Sequence, residues 1–498
     1  MSDVLAGAGV LAAAGAAALA ILLPAGKARA AAMLAALVLF PALILGDQWH
    51  SHQIVDLRDD SNRFALLALL ALALSVALAA VFHRWPILLP LAIVAALPFR
   101  VPLHAGGDTA NLLVPLYLVI AGGVLATAVR TWRSKAGDSP ATPPPGRTSL
   151  VWLPRILAAV VLLYALQTLY SPDFSKSLQN ACFFFVPFSL VFALLRDVEW
   201  DRRLLVGVLW VIGLEALVFV AIGTVEYAAR SLFWNDQVIR SNEFHTYFRV
   251  NSVFWDPNVY GRWLALAIVV AMAALLWARE RRDQALLTGL VAVLWIGLAP
   301  TFSQSSFIAL LAGLAVLAAL RWSLRWTLAA VGAGAVAAVL VVLLAGGSSV
   351  SVSRINIDTS GRANLVSGGI HLFAQRPVYG YGSGSFPRAY REHVNTDKVP
   401  VSISHTEPIT VAAEQGVVGL AAYAALLVAA LWTMGGGGLL RFRPAAAGGI
   451  AARAAVLAAF VALLVHTMAY AGFFEDPIAW VLMAAGLSLA SAPVRDGP

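Results

Sequence analysis

Residues 360–386, SGRANLVSGGIHLFAQRPVYGYGSGSF, and residues 404–420, SHTEPITVAAEQGVVGL, carry the core and the end of a polar stretch set between two long apolar runs. That stretch, 346–411, gathers six Arg or Lys and three of the nine His, then leads straight back into an apolar run. The rest of the chain is its opposite. Of 498 residues 60% are hydrophobic, where soluble domains hold about 45–50%, and mean hydropathy is +0.81. Runs long enough to cross about 30 Å of hydrocarbon as helix, roughly 17–25 residues each, recur along nearly the whole length. The expected fold is therefore an all-α polytopic membrane protein of about 12–15 transmembrane helices, with a large extracytoplasmic loop containing short surface helices. Fifteen span centres fall near residues 14, 37, 74, 93, 120, 160, 188, 214, 270, 293, 312, 335, 422, 461 and 484.

With alternating loops, the short basic ones (Lys27/Arg29, Arg84, Arg130 to Arg147, Arg196 to Arg203, Arg279 to Arg282, Arg321/Arg325, Arg441/Arg443) share one face. The positive-inside rule makes that face cytoplasmic. The long loops 226–262 and 346–411 then lie outside, and their arginines run against the usual bias. The chain divides into N-terminal spans (1–132), a cytoplasmic Pro/Ser-rich linker (133–148), central spans (149–345), the extracytoplasmic catalytic loop (346–411) and C-terminal spans (412–498). The run from Val4 to Pro24 is taken as the first span, with no basic residue ahead of it to suggest a leader. A net charge of +8 is accounted for by loop arginines meeting anionic lipid, so no nucleic-acid partner is expected. The single cysteine, Cys182, excludes intrachain disulfides and cysteine metal clusters, leaving the outer loops to be ordered by packing alone.

Within the large loop, Leu365, Ile370, Leu372 and Phe373 permit a surface helix over 361–375, ended by Pro377 and followed by glycines at 380, 382 and 384 that allow close approach of backbone or ligand. Arginine suits a diphosphate, because its planar fork donates two parallel hydrogen bonds and its charge does not titrate away. Arg249, Arg354, Arg362, Arg376, Arg388 and Arg391 lie on the outer side, where they either bind phosphate or pair with Asp358, Glu392, Asp397 and Glu407. His405 stands where the loop re-enters the membrane, where a histidine either accepts a hydroxyl proton, given a neighbour to orient it, or simply fills the amphipathic interface; position alone does not choose between the two. A rival site is the acid pair Asp59 and Asp60 beside His50 and His52, a possible cation grip on lipid phosphate, or else a solvated loop. Glu215, His466 and Glu475/Asp476 are intramembrane or near-membrane polar groups. Ser303-Gln304-Ser305-Ser306 is expected to line the outer end of a cavity.

These strings, with Arg249, FWDPNVYGRW and TFSQSSFIALLAGL in the same order, resemble the O-antigen ligase and Wzy-type polymerase superfamily over roughly residues 85–490. The resemblance implies transfer of a glycan from a polyprenyl-diphosphate carrier to an acceptor hydroxyl on the outer side of a bacterial inner membrane. It implies an inverting, metal-independent reaction without cofactor, with membrane lipids and a lipid or glycan acceptor as partners. His405 is similar to the family's essential loop histidine and Arg362 to the arginine ahead of the Pro/Gly turn. Arg249 is similar to the arginine ahead of Pro257-Asn258, and Glu414 to the acid before the closing Gly416. The expected catalytic set is His405, Arg362 and Glu414. The expected donor-binding set is Arg249, Arg362, Arg376, Gln304, Asn258, Tyr379 and Tyr381. Many members carry Ser-Arg where this chain has Ser303-Gln304, and Asn where it has Thr406; about three N-terminal spans exceed the usual family core. Polymerase, a metal-dependent transferase using Asp59/Asp60, and a lipid-linked glycan transporter are the alternatives.

Overall fold

The computed structural model describes residues 3–49, 55, 61–105, 108–134, 149–233, 235–244, 247–346, 362–394, 403–436 and 447–491. The first half runs α1 (Asp3–Leu22), α2 (Lys27–Asp47), α3 (Ser61–Arg84), α4 (Leu88–Ala96), β1 (Val101–Ala105), β2 (Asp108–Leu112), α5 (Val114–Arg133), α6 (Ser149–Thr168), α7 (Phe174–Asn180), a π-helical turn (Ala181–Phe185), α8 (Val186–Leu195) and α9 (Arg202–Ala229). There follow α10 (Asp236–Phe244), α11 (Pro257–Trp277), α12 (Arg281–Leu298), α13 (Gln304–Arg321), α14 (Leu324–Gly346), α15 (Arg362–Gln375), α16 (Phe386–His393), α17 (Glu407–Gly435), α18 (Ala447–Thr467) and α19 (Pro477–Ser491).

Each of the fifteen expected centres falls inside a helix, and among the described residues twelve helices are long and apolar enough to cross a membrane. The protein is a multi-pass helical membrane protein, as its composition requires. The run near residue 93 is a helix of only nine residues, about 14 Å long and so half a bilayer. An antiparallel hairpin that hydropathy did not anticipate follows it, pairing Val101 with Leu112. The apolar run near 484 is likewise a shorter helix, Pro477–Ser491.

At the centre, α8, α11, α18 and α19 enclose one another around Phe188, Tyr260, Phe460, Phe473 and Trp480, all fully buried. Small residues let backbones approach closely, which in a membrane is the main route to helix association. Helix α3 instead turns most of its leucines outward, the surface expected against lipid. At one end of the bundle Arg29 is hydrogen-bonded to Asp197 and to the Ala193 carbonyl, and Arg196 to the Ile21 carbonyl. The other end, the site end, collects 97–100, 169–173, 230–233, 235–244, 247–256, 299–303, 362–394, 403–406 and 468–476.

Three buried carboxylates hold the loops of the site end, so packing is not their sole constraint. Glu226 accepts from the backbone N–H groups of Ser252 at 2.7 Å, Asn251 at 3.1 Å and Phe233 at 3.4 Å. Glu407 accepts from Gly472 at 2.7 Å and Phe473 at 3.1 Å. Glu414 accepts from Gly384 at 2.8 Å and Phe386 at 3.0 Å. Two or three backbone donors on one buried carboxyl tie a loop down in a chain without disulfides.

The Gly/Tyr turn and the start of α17 are bound to each other through their backbones. Tyr381 N–H donates to the Ala413 carbonyl at 3.2 Å, Gly382 N–H to that of Glu414 at 2.7 Å, and Val417 N–H to that of Pro377 at 2.7 Å. The helix opens for this at Gly416, whose φ of 65° and ψ of −164° release carbonyls from the helical ladder. Gly380 and Gly416 both have positive φ, and a Cβ on either would stand 2.3 Å from a carbonyl oxygen of the other segment. Only glycine permits that approach.

Candidate active site

Arg249 is fixed on four sides. Its backbone N–H donates to Asn242 Oδ1 and its carbonyl accepts from Asn242 Nδ2, each at 3.0 Å. Its Nε donates to the Thr301 carbonyl at 2.9 Å and its Nη2 to Asn258 Oδ1 at 3.1 Å. Asn258 Oδ1 also accepts from Ser303 Oγ at 2.9 Å, so its carbonyl oxygen braces the Arg249 guanidinium. Asp256 caps α11 by accepting from Asn258 N–H at 2.6 Å, which places a carboxylate beside the guanidinium. Burial pulls the Arg249 pKa down and the Asp256 charge opposes that pull, while Arg362 adds to it. Two guanidinium groups thus share one neighbourhood with one acid.

Arg362 opens α15 and reaches across to the Ala469 carbonyl, Nη1 to O 3.4 Å. His405 lies two residues before α17 in left-handed backbone, φ 63°. Non-glycine residues hold that conformation only where the surroundings over-determine it, and such strain gathers at functional sites. Its ring centroid stands 6.3 Å from that of Tyr470, inclined edge to face. Burial, then the Arg362 charge, lowers the His405 pKa below the usual histidine value; Asp256 acts in the opposite direction. The imidazole is accordingly neutral near pH 7, with a lone pair to accept a proton. Burial and Asp256 raise the Tyr470 pKa, so this side chain is a neutral phenol.

Behind these groups Tyr470 faces His466 at 5.8 Å, and His466 Nε2 lies 3.2 Å from Ser305 Oγ. Thr406, in the position after the histidine, donates from Oγ1 to the Met468 carbonyl at 3.1 Å. Glu475, in the same 468–476 loop, makes no hydrogen bond to a described residue; burial raises its pKa, opposed by the charges of Lys176 and Arg100.

Seven of the nine expected site residues fall into two groups. Arg249, Asn258, Arg362 and His405 come together, drawn from the loop before α11, the first turn of α11, the start of α15 and the loop before α17. Arg376, Tyr379 and Tyr381 stand at the far end of α15, about 20 Å along the helix from Arg362. There Arg376 lies over the Tyr381 ring at 4.4 Å, Tyr381 donates its hydroxyl proton to Gln375, and Tyr379 meets Tyr170 edge to face at 6.1 Å. Gln304 is exposed as the first residue of α13, with no hydrogen bond to a described residue. Glu414 is committed to the backbone of the Gly/Tyr turn. Asp59, Asp60, His50, His52, Arg354, Asp358 and Asp397 lie outside the described residues. Among the described residues no three His, Cys, Asp or Glu side chains stand together as a metal site.

Asp256 and Tyr470 join the site without having been singled out from the sequence. Asp256 carried a usable signal, a helix-capping acid directly ahead of Pro257. Tyr470 carried none, because its place depends on Glu407 holding the next two residues but one, Gly472 and Phe473.

Residues 289–424 match the family model described as O-Antigen ligase, a stretch that contains Gln304, Arg362, His405 and Glu414. The match bears out the resemblance carried by the motif strings. With twelve helices able to cross a membrane among the described residues, it supports a ligase- or polymerase-type membrane glycosyltransferase. No curated protein matches the chain.

Proposed function

We propose, with the O-antigen ligase match over residues 289–424 as premise, that this protein moves a glycan from a polyprenyl-diphosphate carrier to an acceptor hydroxyl at the outer face of a bacterial inner membrane. The observation that carries the reading is the gathering of Arg249 and Arg362 beside a neutral His405 at one end of the bundle. Basic loops crowd the opposite end, which favours the cytoplasm there and the exterior at the site.

Arg249 and Arg362 flank the diphosphate and stabilise the charge it gains on leaving, an effect worth several kcal/mol in preorganised sites. Both charges come from the protein, so the step calls for no metal. The acceptor hydroxyl gives its proton to His405 as its oxygen bonds to the anomeric carbon. The bond from that carbon to the phosphate oxygen breaks, and its electron pair departs with the diphosphate. Direct displacement inverts the anomeric carbon. Asn258 holds Arg249 at its angle, and Glu414 acts as a positioning residue through the turn that ends α15. Gln304 offers a neutral amide at the rim, and Arg376, Tyr379 and Tyr381 contact the donor beyond its diphosphate.

The test is reconstitution in nanodiscs with a polyprenyl-diphosphate glycan and candidate acceptors, with and without EDTA. A new glycosidic bond, insensitive to EDTA and severely reduced by Arg362→Lys or His405→Ala, is expected. Undiminished transfer by either variant overturns the assignment, and movement of lipid-linked glycan without any new bond identifies a transporter. Product length separates attachment of one finished chain from polymerisation.

A further inference from the structure

A groove of about 430 Å³, lined almost wholly by apolar groups, separates α9 from α18 and α19. Helix α9 packs instead on α4, α11 and α12. The groove follows α9 from Arg202 to Ile212 and α18 from Gly449 to Ala459, about 15 Å on each. Both stretches start at the end of the bundle that holds Arg29 and Arg196. The groove is thus as deep as one leaflet, half of about 30 Å of hydrocarbon. On α11 it stops at Trp263, about 9 Å short of that helix's site end. Ile478 of α19 lines it at a similar depth, because Asp476 is paired with Arg262 at 2.8 Å. Leu205, Leu209, Ile212, Val456 and Leu482 along its length are only half-buried, so its flank is open.

Trp200 and Arg202 stand at the mouth. Arg202 is exposed and makes no hydrogen bond or ion pair to a described residue. The neighbouring Asp201 is turned to cap α9, its Oδ1 accepting from Leu204 N–H at 2.8 Å, and does not line the groove.

We infer that this groove seats an acyl chain of an anionic phospholipid from the leaflet opposite the active site, with the lipid's phosphate on Arg202. Within hydrocarbon an open apolar groove holds lipid chains, because no water is present there. The depth of this one matches a chain of a single leaflet. At its mouth the indole of Trp200 suits the interface and the Arg202 fork suits a phosphate. An unopposed cation favours a headgroup of net negative charge over a zwitterion. A polyprenyl chain whose diphosphate sat between Arg249 and Arg362 would begin in the other leaflet and meets the groove poorly. The inference goes beyond the proposed transfer and does not depend on it.

The test is native mass spectrometry of the delipidated full chain, titrated with dioleoyl phosphatidylglycerol or dioleoyl phosphatidylcholine. One phosphatidylglycerol should be retained per chain, about fivefold more tightly than phosphatidylcholine, the scale of one arginine beside an anionic headgroup. Arg202→Gln should erase that preference, and Arg281→Gln, an exposed arginine at the same end outside the groove, should keep it. Ala452→Trp puts a large side chain into the groove from a half-buried position and should lose the tight lipid. No retained lipid, equal retention of the two lipids, a preference that survives Arg202→Gln or a tight lipid that survives Ala452→Trp overturns the inference. Displacement of phosphatidylglycerol by an equal amount of polyprenyl phosphate also overturns it and gives the groove to the carrier. Binding is read without any glycan transfer, so a protein that forms no glycosidic bond leaves the lipid seat standing.

Discussion

Arg262 Nη2 and Asp476 Oδ2 form an ion pair at 2.8 Å, with the two side chains only 7% and 3% exposed. Arg262 is four residues after Asn258, on the same face of α11, so one helix face holds both the Arg249 strut and the loop that carries Tyr470. Asp476 also caps α19 through Ile478 N–H at 2.9 Å. Removing one partner leaves a buried charge unpaired, which costs about 3–5 kcal/mol. Arg262→Met should therefore lower the thermal unfolding midpoint in detergent sharply, and Arg262→Met with Asp476→Asn should recover most of the loss. Equal destabilisation by the single and double variants would contradict a charge-pairing role.

Arg249 tests whether geometry or charge matters at the diphosphate. Its Nε and Nη2 are bound to Thr301 and Asn258, which aims the remaining N–H groups. Lysine keeps the charge and loses the fork. Arg249→Lys should reduce kcat about 10²-fold or more, the scale seen when one preorganised donor is removed, with little change in folding. Near-wild-type turnover would mean that a point charge suffices.

The acid limb of the rate profile reports on His405. A base must be neutral to act, and burial with Arg362 lowers its pKa, so kcat/KM should hold its plateau to below the usual histidine value of about 6.5. Replacing Arg362 by Gln removes a cation that disfavours imidazolium. The His405 pKa then rises and the limb moves to higher pH, whatever the loss in amplitude. Burial remains the larger influence, so the limb should not pass the ordinary value. A limb that stays in place would dissociate Arg362 from the histidine.

Apolar runs made the helices legible, because a continuous apolar run of about 20 residues spans lipid as helix, with every backbone group bonded within the segment. The nine-residue α4 and the hairpin after it escaped, since hydropathy registers an apolar run whether or not it spans. Arg362 and His405 were legible as polar residues out of place. Their grouping with Arg249 was suggested by loop parity and by the family resemblance, and Asp256 and Tyr470 became visible with the tertiary contacts. Glu414 was legible as an acid in a motif, whereas its actual partners, two backbone N–H groups thirty and twenty-eight residues earlier, leave no trace in residue type.

That assignment can be separated from a chemical one. Glu414 spends Oε2 on Gly384 and Oε1 on Phe386, and its own carbonyl accepts from Gly382. Glutamine has one acceptor oxygen and an amide that would meet a donor, leaving a buried backbone N–H unsatisfied at a cost of about 1–3 kcal/mol. Glu414→Gln should accelerate amide hydrogen exchange across 380–393 and lower transfer through a weakened turn. Gly416→Ala should loosen the same segment by a different route, because its Cβ would press on the Val378 carbonyl. A proton-transfer role predicts the converse for Glu414→Gln: exchange unchanged, turnover lost, and an altered pH profile. Protection of residues 380–393 in that variant therefore decides whether the carboxylate holds the loop or works on the substrate.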